Sequence, residues 1–252
     1  MFSGIIPSSL YNISSLVKFF VAANQLEGNL PPSIGVTLPN LLIFYVGTNK
    51  FTGPIPASFL NASGLLYLDL AQNSFTGLVP TELETLRSVI RLNFQSNRLG
   101  SLSGEANNLN ILNHLVNCTS LQSLSLVDNH LRGKFPSSIT NLSTQLEQFV
   151  LGGNLINGSI PIGIENLTNL TRLGLEVNFF SGSLPLGIAK LQKLQRLVLH
   201  TNNFTRIIPP SFGNLTSLTF LAMGENLLEG TIDTDQLNHK LGTCGTQGTC
   251  LK

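Results

Sequence analysis

Apolar residues fall along this chain in short alternating bursts, each closed by an asparagine: Leu-x-Leu-x-x-Asn-x-Leu/Phe. Leu68-Asp69-Leu70-Ala71-Gln72-Asn73-Ser74-Phe75 is one copy and Leu173-Gly174-Leu175-Glu176-Val177-Asn178-Phe179-Phe180 another. The asparagines are Asn24, Asn49, Asn73, Asn97, Asn129, Asn154, Asn178, Asn202 and Asn226, spaced by 25, 24, 24, 32, 25, 24, 24 and 24 residues. Period-2 alternation over so few residues predicts a short strand with Leu68 and Leu70 inward and Tyr67, Asp69 and Ala71 outward. A 24-residue coil cannot bury that row alone, so the coils must stack and their strands must form one parallel sheet. Nine strands about 4.8 Å apart predict a sheet roughly 38 Å wide.

The asparagine recurs where the chain leaves the sheet. Its amide offers donors and an acceptor, so the column is expected to be a structural ladder that satisfies turn backbone. Four residues later comes Gly-x-Ile/Leu-Pro, as in Gly53-Pro54-Ile55-Pro56, Gly158-Ser159-Ile160-Pro161 and Gly182-Ser183-Leu184-Pro185. Glycine permits the bend and proline breaks a regular helix, which predicts short extended and 3-10 segments on the convex side. Arg206 replaces the glycine before Ile207-Ile208-Pro209, and Asp233 replaces the proline after Ile232.

Composition narrows the function classes. Of 252 residues, 47 are leucine and 26 asparagine, whereas charged residues make up only 11% with 14 Lys+Arg against 13 Asp+Glu. Such a surface is polar without being charged, and it lacks the basic footprint of a nucleic-acid binder. No apolar run reaches membrane-spanning length. His114, His130, His200 and His239 show no metal-ligand spacing, and Gly100-Ser101-Leu102-Ser103-Gly104 has leucine where a nucleophile elbow needs serine. Cys118 is expected to be a small buried residue. No catalytic constellation, phosphate loop, metal site or cofactor is expected, so the chain is read as not being an enzyme.

The extended reading Leu-x-x-Leu-x-Leu-x-x-Asn-x-Leu-x-Gly-x-Ile-Pro resembles the plant-type leucine-rich repeat of receptor-like kinase and receptor-like protein ectodomains. The resemblance covers residues 1–232 and implies an α/β fold: a right-handed leucine-rich-repeat solenoid, or horseshoe, with its parallel β-sheet on the concave face. The coil between Asn97 and Asn129 is eight residues longer than the rest and ends in Leu115-Val116-Asn117-Cys118-Thr119-Ser120-Leu121. That phrase is similar to one in the plant immune receptor kinases that include the flagellin receptor and the rice bacterial-blight resistance receptors. Against such ectodomains the chain opens in mid-coil, without a cysteine-paired cap, and is expected to be a fragment of about nine repeats. Residues 233–252 match no repeat and are expected to be a disordered tail, with a Cys244–Cys250 loop as the other reading.

Stacking makes residues 24 apart neighbours, so the outward columns of the sheet can be written down. Six places before the asparagine the column includes Lys18, Ile43, Tyr67, Arg91, Arg172, Arg196 and Phe220. Four before, it includes Phe20, Tyr45 and Asp69; two before, Glu176 and His200. The expected ligand-binding residues are Phe20, Tyr45, Tyr67, Asp69 and Arg91 toward one end, and Arg172, Glu176, Arg196 and His200 toward the other. Aromatics and arginines are enriched at binding hot spots. Stacked Arg172 and Arg196 could grip a carboxylate, Arg172 and Glu176 could instead form a surface bridge, and Glu176 with His200 could form a pH-sensitive pair.

Nine Asn-x-Ser/Thr sequons occur. Glycosylation is expected at Asn12, Asn61, Asn117, Asn141, Asn166, Asn169 and Asn214, on the back or flank of the coils, with Asn157 and Asn203 the doubtful sites. The resemblance implies a ligand-recognition segment of a plasma-membrane, single-pass receptor-like kinase. It would be extracellular, would bind a peptide or protein on its concave face, and would join a co-receptor kinase in disease-resistance signalling. The Ser/Thr kinase domain would lie outside this chain. A secreted polygalacturonase-inhibitor-like protein and a truncated decoy receptor are the rival readings.

Overall fold

The computed structural model describes residues 1–81, 85–100 and 109–230. Ile232, Asp233 and the 233–252 tail with His239, Cys244 and Cys250 lie outside the described residues, as does most of the Gly100–Gly104 segment. Nine three-residue strands form a single parallel sheet in sequence order, from Lys18–Phe20 through Tyr67–Asp69, Ser123–Ser125 and Arg172–Gly174 to Phe220–Ala222. Its register follows the repeat: Lys18 pairs with Ile43, Ile43 with Tyr67, Tyr67 with Arg91, Arg172 with Arg196 and Arg196 with Phe220. The chain is thus a leucine-rich-repeat solenoid with this sheet on its concave side.

Leu68, Leu92, Leu124, Leu173 and Leu197 point inward from the strands and are fully buried. A second row of inward residues lies two places after each asparagine. There Phe51 stacks on Phe75 at 6.2 Å and Phe180 on Phe204 at 6.1 Å. In other coils Leu26, Leu99, Leu131 and Ile156 take the same place, and all of them are buried.

Beyond the asparagines the structure adds more order than extended pieces. The segments around the glycines pair into two further parallel sheets of five strands each. One runs from Ser3–Ile5 to Arg98–Leu99 and the other from Arg132–Lys134 to Leu227–Leu228, so the break falls at the lengthened coil. The glycines turn the chain at positive φ, Gly53 at 76° and Gly182 at 82°. Proline then fixes an extended entry, as at Pro56 with φ −63° and ψ 124°, and a five-residue 3-10 turn follows, Ala57–Asn61. Equivalent turns are Ser8–Asn12, Ser137–Asn141, Ile162–Asn166, Leu186–Lys190 and Pro210–Asn214. A shorter 3-10 turn, Leu115–Asn117, and two single α-turns, Ile34–Thr37 and Asn110–His114, also lie on the convex side.

Each asparagine sews its coil to the one before it. Asn154 shares its Nδ2 donors among the carbonyls of Leu126 at 2.9 Å, Leu151 at 2.9 Å and Gly152 at 3.2 Å, while Leu131 N–H donates to its Oδ1 at 3.0 Å. Leu126 and Leu131 belong to the preceding coil. The same pattern recurs from Asn49 to Asn226, with Asn97, Asn129, Asn154, Asn178 and Asn202 buried, while Asn24 accepts from Phe2 N–H and donates to Val21 O and Ala22 O, both of its own coil. The turn requires a left-handed residue just before it, found at Ala23, Thr48, Gln72, Ser96, Asp128, Gly153, Val177, Thr201 and Glu225 with φ between 51° and 65°.

Candidate ligand-binding face

Three outward columns make the concave surface, and they are not equally open. The column four before the asparagine is outward by register, yet from Asn93 onward it is buried: Val150 is 6% exposed, Val198 7% and Ala222 4%. Neighbours about 4.8 Å away on each side, together with side chains two places along the same strand, cover these small groups. Usable surface in that half therefore lies along the two flanking columns.

Toward the amino end the middle column rises. Phe20 and Tyr45 meet edge to face, with centroids 5.1 Å apart and planes at 86°. Tyr67 is not part of this contact; it sits in the flanking column between Ile43 and Arg91. Burial, first of all, pushes the Tyr45 hydroxyl above the usual tyrosine pKa, with Asp69 and Tyr67 adding to the rise and Arg91 opposing it. Asp69 is locked: Ala71 N–H donates to its Oδ1 at 3.0 Å and Asn93 Nδ2 to its Oδ2 at 2.9 Å.

Tyr45 and Asp69 border a depression of about 250 Å³. Gly47, Ala22 and Ala71 give it small side chains, and Asn93, Gln95, Gln72 and Thr48 complete its polar wall. Thr48 Oγ1 donates to Gln72 Oε1 at 2.8 Å, which fixes one side. Asn93, Gln95, Gln72 and Thr48 were not among the expected binding residues. The signal for them was present in the four-before, two-before and one-before columns, but amides and hydroxyls are abundant everywhere in this chain.

Toward the other end the expected four-residue charged cluster divides. Arg172 and Arg196 lie in register on adjacent strands, and the Arg196 guanidinium sits 4.2 Å from the Phe220 ring centroid. Among the described residues no ion pair joins Arg172 to Glu176, and the Arg172 Nε and Glu176 Oε2 atoms are buried without hydrogen-bond partners. Glu176 leans instead over Gly152 and Gly174, whose missing side chains leave it room. His200 Nδ1 is 3.0 Å from Thr201 Oγ1, which in turn donates to Glu225 Oε2 at 2.6 Å. The alternative Arg172–Glu176 bridge and a Glu176–His200 contact are not formed among the described residues: Glu176 lies over the glycines and His200 meets Thr201.

Among the described residues there is no cluster of potential metal ligands, and no helix is long and apolar enough to cross a membrane. Cys118 is fully buried in its coil. A stack of short parallel strands with an asparagine ladder behind an open concave face defines a leucine-rich-repeat solenoid. The leucine-rich-repeat family model matches residues 64–86, 120–142 and 193–215.

The chain's repeats are similar to those of plant leucine-rich-repeat receptor kinases and receptor-like proteins. It is 41% identical over 148 residues to the LRR receptor-like serine/threonine-protein kinase EFR of Arabidopsis thaliana, covering 59% of this chain and 14% of that protein. It is 47% identical over 64 residues to the receptor kinase-like protein Xa21 of rice, covering 25% of this chain and 6% of that one. It thus spans about a seventh of EFR. Among solved structures, the peptide hormone receptor RGFR1 bound to RGF2 superposes with a TM-score of 0.83 and 29% identity, covering 95% of this chain and 37% of that one. The Arabidopsis receptor kinase HAESA, in complex with the peptide hormone IDA and the co-receptor SERK1, superposes at 0.84 with 28% identity, covering 99% and 40%.

Proposed function

We propose that this chain is a ligand-recognition segment of a plant leucine-rich-repeat receptor-like kinase, extracellular, binding an extended peptide or a protein along its concave face. The observation that carries the reading is its superposition, over nearly the whole chain, on two receptor ectodomains solved with peptide hormones. Recognition needs no chemistry from the segment. A rigid sheet held by the asparagine ladder loses little freedom on binding, so the ordering cost falls on the ligand. Arg172 and Arg196 supply adjacent guanidinium groups for a ligand carboxylate, with Phe220 holding Arg196 in place. Disease-resistance signalling is the setting we propose, on the Asn117-Cys118-Thr119 phrase of the long coil and the similarity to EFR and Xa21. A co-receptor kinase is the proposed second partner.

The sequons support passage through a secretory route. Asn12, Asn61, Asn117, Asn141, Asn166 and Asn214 are each exposed and each the last residue of a 3-10 turn, away from the concave sheet. Asn169 is more enclosed: its Nδ2 donates to Thr144 O at 2.7 Å and its Oδ1 accepts from Lys193 Nζ at 2.7 Å.

The test is calorimetric titration of the chain with matched peptides bearing a free or an amidated carboxyl terminus. Free-acid peptides should bind more tightly, and the Arg172→Ala/Arg196→Ala double variant should lose about tenfold in affinity for them alone. Equal binding of both forms by the unaltered chain would remove the arginine pair from the site.

A further inference from the structure

We propose that the depression beside Tyr45 is a subsite for one basic side chain of an extended peptide, anchored on the carboxylate of Asp69. This rests on the reading of the concave face as a peptide-binding surface, and it adds the charge and the place of a second anchor.

Asp69 is the one charged side chain lining the depression. No lysine or arginine pairs with it among the described residues. Its two oxygens each accept one neutral donor, from Ala71 and Asn93, which aims the carboxylate but leaves its charge unneutralised and lone pairs unused. An oriented, half-buried carboxylate with no ion-pair partner among the described residues favours a cationic ligand group. Tyr45, held against Phe20, offers an aromatic wall for a guanidinium or ammonium group. The space is kept open by Gly47, since a Cβ there would stand 2.9 Å from Asp69 Oδ1. At about 250 Å³ the recess falls below the roughly 300–1,000 Å³ of pockets that enclose a whole small molecule, so it suits one side chain.

The register then gives the ligand a spacing. Asp69 lies on the third strand of the sheet, Arg172 on the seventh and Arg196 on the eighth. Four to five strand steps of about 4.8 Å span roughly 19–24 Å. An extended peptide at about 3.4 Å per residue covers that distance in about six or seven residues. The preferred ligand carries Lys or Arg six or seven places from the residue whose carboxylate meets the arginine pair.

The experiment uses the 252-residue chain and a positional library of free-acid decapeptides, each with Arg, Lys, norleucine or Glu fixed at one place. Arg and Lys should be enriched about tenfold over norleucine at the sixth or seventh place from the carboxylate, and Glu should be depleted. Asp69→Asn should abolish that preference while leaving the free-acid preference intact. As a readout on the unaltered protein, the advantage of the Arg peptide over its norleucine match should shrink as sodium chloride is raised. Free-acid peptides that bind with no basic preference at any place would overturn the Asp69 subsite and leave the receptor reading standing. Failure of every library peptide to bind would overturn both.

Discussion

Glu176 lies across Gly152, the residue that holds its own place in the preceding coil. A Cβ on Gly152 would stand 2.5 Å from Glu176 Cδ and 2.6 Å from Oε1. The contact is with the mobile end of a half-exposed side chain, so Gly152→Ala should displace Glu176 and cost less than about 1 kcal/mol. Gly35 is the opposite case. There a Cβ would lie 1.8 Å from Ser58 O and 2.9 Å from Phe59 Cα, both backbone atoms of the next coil. Gly35→Ala should cost about 3 kcal/mol or more, because two coils must part to admit it. Denaturant titration of the two variants side by side checks the ranking, and equal losses would refute it.

Asn154 is the clearest test of the ladder. Replacing it with alanine strips Leu131 N–H of its partner in a fully buried place and removes the amide shared by three carbonyls. An unsatisfied buried group costs about 1–3 kcal/mol, and here more than one is created. Asn154→Ala should therefore lose about 3 kcal/mol or more. Asn24→Ala, in a half-exposed place where Phe2 N–H meets the side chain near solvent, should lose clearly less. Hydrogen exchange at the Leu131 amide would show the same contrast locally.

The periodic part of this architecture was legible because one side chain has one job at each place of a 24-residue coil. Leu68 must point inward and Asn73 must turn the chain, so both recur. The pairing of the glycine segments into two further sheets was not legible. Ser74-Phe75-Thr76-Gly77 is only four residues long and ends in glycine, so its pairing follows only once Asn97 and its equivalents hold the coils in register. The binding face was legible by column but not by contact. Where Glu176 leans is decided by the absent side chains of Gly152 and Gly174, and no rule of like-with-opposite charge predicts that.

Arg206 stands where other coils have glycine, and it adopts the glycine conformation, with φ 67°. For a residue with a Cβ the left-handed region costs about 1–2 kcal/mol, of which some is offset by the greater entropy glycine loses on folding. Arg206→Gly should therefore raise stability by about 0.5–1 kcal/mol, a melting shift of about 1–4 °C for a domain of this size. Arg206→Ala keeps the Cβ and should give no such gain. A gain with alanine equal to that with glycine would place the effect in the lost charge instead of the backbone.

Tyr11 gives the chain a dependence on alkaline pH. Its ring stacks on Phe19 with centroids 5.8 Å apart, and it is 5% exposed. Burial pushes its hydroxyl up to about 12, against 10.0 in the unfolded chain. The folded state therefore keeps the proton after the unfolded state has lost it. Stability from this group is complete below pH 10 and drains away as pH rises toward 12, by about 2–3 kcal/mol in all. The chain has three tyrosines, Tyr11, Tyr45 and Tyr67. A phenolate titration followed by near-ultraviolet absorbance should show Tyr11 ionising last, with Tyr45 also above its ordinary value. Tyr11→Phe should abolish the late step and flatten the loss of stability across that window. Three phenolates appearing together near the ordinary value, in a chain still folded, would mean that the first coil does not shield Tyr11 in solution.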